Sequence, residues 1–135
     1  MREILFRGKR IDTKEWVKGS YIYAHKWNWD GSAGHLICDI YGVNKTQVIS
    51  ETLGQFTGLT DKNGKKIFEG DIVRQDNGIA QVIEWISWDY EDTEDNVMIG
   101  TFMCKDKNGE WTYISKRDEV IGNIYDNPEL LGEQQ

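Results

Sequence analysis

The side chains best suited to chemistry are few. His25, His35, Cys38 and Cys104 are the only histidines and cysteines. A structural zinc site needs four such ligands converging on one ion, and a catalytic site three. His35 and Cys38 are three apart, so on a strand they point to opposite faces and cannot chelate together. His25 and His35 can meet across a hairpin whose loop is 26–34, which supplies only two ligands. Both cysteines sit among apolar neighbours, the setting of a buried, inert thiol. These groups call for no metal site and no cofactor.

Carboxylates are more concentrated. Between Gln75 and Cys104 there is no Lys or Arg, and seven acids: Asp76, Glu84, Asp89, Glu91, Asp92, Glu94 and Asp95. A calcium loop of the EF-hand type needs Gly at its sixth position and Glu at its twelfth. Counted from Asp89 those positions hold Glu94 and Gly100; counted from Asp106 they hold Trp111 and Arg117. The cluster at 89–95 therefore reads as a solvated loop, with a divalent-metal-dependent enzyme as a distant alternative. No Gly-x-Ser-x-Gly elbow, phosphate loop or dinucleotide fingerprint occurs. The expectation is a protein that is not an enzyme.

Aromatic residues offer recognition instead. Trp27 and Trp29 flank Asn28 and precede a loop containing Gly31 and Gly34. Two apart, they would share one strand face and form a platform. Further on, Ile83 and Trp85 fall on one face of a strand, and Val82, Ile86, Trp88 and Tyr90 on the other. Trp85 reads as core. A strand apolar on both faces suits a buried layer or an interface. The candidate interaction residues are Trp27, Trp29, Trp88, Tyr90, Glu91 and Asp92.

The elements that must hold these groups are strands. Aromatic residues make up 12% of 135 residues, with one proline and fourteen glycines. That composition suits pleated surfaces joined by tight turns. Strands are predicted over 2–7, 15–24, 35–41, 46–49, 71–75, 79–88, 97–104, 111–114 and 120–125. Asp61-Lys62-Asn63-Gly64 and Asp106-Lys107-Asn108-Gly109 are identical tetrapeptides, and Asp76-Asn77-Gly78 is a third Asn-Gly turn. Asn-Gly predicts type I′ hairpins. One helical turn is predicted after Asn127 and Pro128.

Charge narrows the partners. The net charge of −7 belongs to the acidic stretch, since the remaining sixteen acids are balanced by sixteen bases. Phosphate backbones need clustered Lys and Arg, so the balance argues against nucleic acid. Arg2, Arg7, Lys9 and Arg10 keep a small-barrel nucleic-acid-binding protein as the alternative reading. No apolar run approaches the length of a membrane span. With no secretory leader ahead of two scattered cysteines, the expected location is the cytoplasm of a host cell.

The run Glu51-Thr52-Leu53-Gly54-Gln55-Phe56-Thr57-Gly58-Leu59-Thr60-Asp61-Lys62-Asn63-Gly64, continuing through Lys65-Lys66-Ile67-Phe68-Glu69-Gly70-Asp71-Ile72-Val73, resembles the signature of the YopX family. The opening Arg2-Glu3-Ile4-Leu5-Phe6-Arg7 and the closing Val120-Ile121-Gly122-Asn123-Ile124-Tyr125-Asp126-Asn127-Pro128-Glu129-Leu130 fit the same resemblance. It implies a small phage or prophage protein, an all-β fold and an SH3-like second lobe. It implies no established activity. The signature reads as structural: Phe56 is a core anchor, and Asp61 and Asp71 are placed to accept backbone N–H groups in loops.

The expected fold is all-β, with small antiparallel β-barrel lobes over 1–60 and 61–135, the second SH3-like, and little helix. The expected role is a non-catalytic protein-interaction or assembly module. Its partner would be a host or phage protein, or a second copy of the chain as a homo-oligomer.

Overall fold

The computed structural model describes residues 3–39, 44–90 and 97–132, and of the strand ends 88–90 and 97–99 the backbone alone. Two compact units divide the chain, Met1–Gly58 and Leu59–Gln135. The strands are β1 Phe6–Lys9, β2 Trp16–Ala24, β3 Gly34–Cys38, β4 Lys45–Gln47, β5 Gly54–Thr60, β6 Lys66–Phe68, β7 Asp71–Arg74, β8 Ala80–Tyr90, β9 Val97–Lys105, β10 Trp111–Thr112 and β11 Glu119–Asn123. Helix is confined, among the described residues, to a 3-10 turn at Ser50–Thr52 and the single turn α1, Glu129–Gly132.

One sheet has the order β4-β3-β2-β1-β5-β6 and the other β10-β9-β8-β7-β11. Both are open, which corrects the expected barrels and with them the SH3-like second lobe. In the second sheet β10 and β11 stand at opposite ends of the order and do not pair. Closure requires the outermost strands to meet with matched length and stagger. Here β10 is only two residues long, and β11 carries an irregularity between Val120 and Gly122. A strand, an Asn-Gly turn and a long strand specify a hairpin, not the closure of a barrel.

Each unit has its own buried residues. In the first, β3 buries Leu36, Ile37 and Cys38, and Val48 and Phe56 are likewise enclosed. Phe56 is thus the core anchor its place in the signature suggests. In the second, Ile67, Val73, Ile83, Phe102 and Cys104 form one cluster, with Ile114 and Val120 packed against it.

The loops are tied down by carboxylates. Asp61 Oδ1 accepts the N–H groups of Asn63 and Lys65 at 2.8 and 2.9 Å, and its Oδ2 accepts that of Val120 at 3.0 Å. Asp71 Oδ2 accepts the Phe68 N–H at 2.8 Å. Both acids do what their positions predict. The second copy of the tetrapeptide repeats the local pattern: Asp106 Oδ1 accepts from Asn108 and Glu110, each at 2.9 Å. Gly64 and Gly109 have φ of +82°, whereas Asn63 and Asn108 do not share the positive φ. A type I′ turn needs both central residues there, so these are type I turns closed by a left-handed glycine. The side-chain bonds from Asp hold the asparagines in the ordinary region.

Strand β8 outruns its neighbour. It pairs with β7 from Ala80 to Val82, and with β9 from Val82 to Tyr90. The Ile83 carbonyl accepts the Gly70 N–H at 2.8 Å. Beyond that point β9 is its strand partner among the described residues, so β8 and β9 continue as a two-stranded ribbon. Burial follows the pairing: Ala80 to Ile83 are buried, whereas Trp85 is 49% exposed. The expectation of a core Trp85 is therefore corrected. Two strands cannot enclose an indole; Trp85 lies edge-on to Phe102, ring centroids 4.9 Å apart.

Candidate functional site

Strand β2 ends at Ala24, and the chain then closes a tight loop before β3. The N–H groups of Trp27 and Asn28 both donate to the Ser32 carbonyl at 3.1 Å, and the Gly31 N–H donates to the Asn28 carbonyl at 2.9 Å. Asn28 Nδ2 donates to Ser32 Oγ at 3.0 Å and to the Ala33 carbonyl at 3.2 Å. Asp30 Oδ1 accepts the Ser32 N–H at 2.9 Å. The hydroxyl and N–H of Ser32 hold the Asp30 carboxyl below its ordinary range. This is a loop, so Trp27 and Trp29 do not share a strand face as their spacing suggests. Trp29 is wholly exposed, with relative accessibility of 107%, and Trp27 is 44% exposed. The two indoles have different settings. Trp27 rests on Gly34, where any side chain would begin 2.8–2.9 Å from its Cβ, Cγ and Cδ1.

Beside Trp27 is a cleft of about 350 Å³. The β1–β2 turn supplies Arg10, Ile11 and Asp12, and β4 supplies Lys45, Thr46 and Gln47. The Arg10 guanidinium is held in a fork: Nε and Nη2 donate to the two oxygens of Asp12, each at 2.9 Å. Asp12 also accepts the Thr13 N–H at 2.8 Å. These donors, Arg10 first, draw the Asp12 carboxyl down to about 2. The turn is anchored by the Arg10 N–H to the Glu15 carbonyl at 2.9 Å and the Ile11 N–H to the Gln47 carbonyl at 3.3 Å.

Two further bases of the N-terminal segment, Arg7 and Lys9, lie against an aromatic ring. Arg7 is buried, with its guanidinium 4.6 Å from the Trp16 ring, and the Lys9 ammonium lies 5.5 Å from the same ring. Arg2 lies outside the described residues. So do Glu91 and Asp92, and the side chains of Trp88 and Tyr90; the backbones of Trp88 and Tyr90 stand opposite Ile99 and Val97 on the ribbon.

The histidines are engaged by aromatic residues. His35 Nδ1 is 2.7 Å from the Tyr21 hydroxyl, and the rings of His25 and His35 flank Tyr23 at 5.5 and 5.4 Å. Among the described residues, no group of three or more His, Cys, Asp or Glu is placed to hold a metal ion.

Buried polar chemistry does occur in the second unit. Cys104 Sγ donates to Asp118 Oδ2 at 3.8 Å, and the same oxygen accepts the Ser115 N–H at 2.8 Å. Burial, then the neighbouring carboxylate, pushes the Cys104 thiol up to about 12. Such a thiol is held protonated, the opposite of an activated nucleophile. Burial also raises Asp118, against the pull of Ser115 and Cys104. Alongside, Thr112 Oγ1 accepts from Gln75 at 3.1 Å and donates to buried Gln81 at 2.9 Å.

Sequence reasoning singles out Trp27 but misses Ile11, Asp12 and β4 as its companions. They reach it through strand pairing, with Leu36 opposite Gln47 and Arg10 bridged to Val48. No local spacing encodes that.

The fold and these sites define a mostly β protein of two open sheets. The chain belongs to the YopX protein family, which it matches over residues 5–132 and which is a family of phage and prophage proteins. It is similar to the crystal structure of protein EF1440 from Enterococcus faecalis, at 21% identity, 97% coverage of this chain, 99% of that one and a TM-score of 0.48. No curated protein matches the chain. Among the described residues no helix is long and apolar enough to cross a membrane.

Proposed function

We propose that this protein is a non-catalytic interaction module acting in the cytoplasm of a host cell, and that it docks a host or phage protein through the loop carrying Trp29. The observation that carries the reading is an indole held entirely in water on a loop closed by its own hydrogen bonds. Trp is prominent among residues that dominate interface energetics. A preformed loop loses little conformational freedom on docking, so more of the contact energy appears as affinity. The net charge of −7 favours partners with a basic face and speeds their encounter at low salt.

Immobilised protein exposed to host extract and to phage proteins, with sedimentation of the purified chain alongside, tests this. The expected result is a partner, or a second copy, retained by the native chain and weakened at least about tenfold by Trp29→Ala. The substitution should leave stability within about 0.5 kcal/mol, as for other exposed positions. Equal retention and equal sedimentation of the two proteins would remove the reading.

A further inference from the structure

We propose that the cleft beside Trp27 binds a nucleoside phosphate, with the base against the indole and the phosphate at the Arg10 and Lys45 rim. The site uses a different indole of the docking loop, Trp27 and not the exposed Trp29. Its size, about 350 Å³, lies at the lower end of the roughly 300–1,000 Å³ typical of small-molecule sites.

Two lining residues suit a flat ring. Trp27 presents a half-exposed indole whose position is fixed by its seat on Gly34. Ile11, 45% exposed, supplies an apolar side chain in the same cleft. Bases are held between aromatic and apolar side chains in this manner, whatever their identity. The rim suits an anion. Asp12 occupies Nε and Nη2 of Arg10, which fixes the guanidinium plane and leaves Nη1 for a ligand oxygen. Lys45 adds a second cation from β4. Arg10 and Asp12 offset each other, so the lining's single positive excess comes from Lys45, on a chain whose net charge is −7. Thr46 and Gln47 bring neutral donors and acceptors suited to a ribose or a base edge.

A planar ring alone would use Trp27 and Ile11 and not the rim; inorganic phosphate would use the rim and not those two residues. A nucleoside phosphate uses both, whether it is free or the 5′ end of a single strand. The probes are AMP, adenosine, inorganic phosphate, and a short oligodeoxyadenylate with and without its 5′-phosphate, titrated calorimetrically into the full chain. AMP should bind saturably, and adenosine and phosphate at least about tenfold more weakly. Trp27→Leu and Lys45→Gln should each weaken AMP about tenfold or more, while Trp27→Phe retains binding. If Trp27→Leu lowers the melting temperature, the Lys45→Gln and Trp27→Phe pair decides. AMP bound as tightly as the phosphorylated strand identifies a free nucleotide; tighter binding of the strand that depends on its 5′-phosphate identifies a strand end. Absence of saturation by AMP and by the phosphorylated strand below about 10 mM would overturn the proposal. So would binding unaffected by Lys45→Gln.

Discussion

Asp61 and Asp118 are both nearly enclosed, at 6% and 1% exposure, and their surroundings push them in opposite directions. At Asp61 desolvation is opposed, and outweighed in sum, by the N–H groups of Val120, Lys65 and Asn63, so its carboxyl is lowered from 3.8. At Asp118 desolvation prevails, and its carboxyl is raised from 3.8. The linkage signs follow. Asp61 contributes stability that is present above its unfolded value and lost as pH falls through the lower folded value. Asp118 contributes stability that is present below its unfolded value and lost as pH rises through the higher folded value. Urea unfolding across acid pH should therefore show opposite trends: the native chain's advantage over Asp61→Asn grows as pH rises, and its advantage over Asp118→Asn shrinks. At neutral pH Asp61→Ala should cost about 2–4 kcal/mol, because three backbone donors lose a charged acceptor. An Asp61→Ala chain as stable as the native one would show that the loop satisfies those donors otherwise. Cys104, pushed up to about 12, stays a thiol at ordinary pH. A chromogenic disulfide reagent should find neither Cys104 nor buried Cys38 in the folded protein, and both after denaturation.

Turns and ribbons show how far strand patterning can be read. Recurring β-branched and aromatic residues mark β2, β7, β8 and β9. β5 escapes this reading: Gly54 and Gly58 interrupt the pattern, and Gln55 and Thr57 blur the polar face. Trp85 reads as core because apolar neighbours surround it in sequence; its exposure comes from β7 stopping short, which β8's own residues do not encode. Across the ribbon Trp85 covers Gly100, where a Cβ would strike its indole. Gly100→Ala should displace Trp85 from Phe102 and reduce the near-ultraviolet circular dichroism, with the strand pairing intact. Unchanged dichroism would mean the indole has room to adapt. The turns give a second contrast. Lys14 adopts φ of +64°, while Gly109 adopts +82°, where an added Cβ would meet Lys105 Cε at an ordinary contact distance of 4.0 Å. A side chain in that region costs about 1 kcal/mol. Thermal melts should therefore show Lys14→Gly raising stability by about 0.5–1 kcal/mol and Gly109→Ala lowering it by about 1 kcal/mol. Equal melting temperatures would mean that neither turn stores the strain its φ implies.

At the scale of the molecule, the sequence shows a β protein and a localised negative charge, but not the open ends of its sheets. Closure is a property of the last strands, and Trp111–Thr112 gives no sign in sequence of ending after two residues. The cleft is hidden for the same reason: Arg10, Trp27 and Lys45 belong to separate elements whose register sets their meeting. What the assembled fold does predict is a gradient of local stability. Leu36, Ile37, Val48 and Phe56 are buried in the first unit, and Ile67, Ile72, Val73 and Ile83 in the second. Amides of β3 and β7, and of β8 as far as Ile83, can exchange only through opening that exposes these side chains. The ribbon beyond Ile83 has one strand neighbour and a half-exposed Trp85, so its opening uncovers little new apolar surface. Local opening free energies range from near zero in such elements to the global value in the core. Hydrogen exchange read residue by residue should place Leu36, Ile37, Ile72, Val73 and Ile83 among the slowest amides, and Ser87 at least about a hundredfold faster. Core-like protection along the whole of β8 would mean that something covers the ribbon in solution. Repeating the measurement at falling protein concentration would identify that cover as a second copy if the protection is then lost.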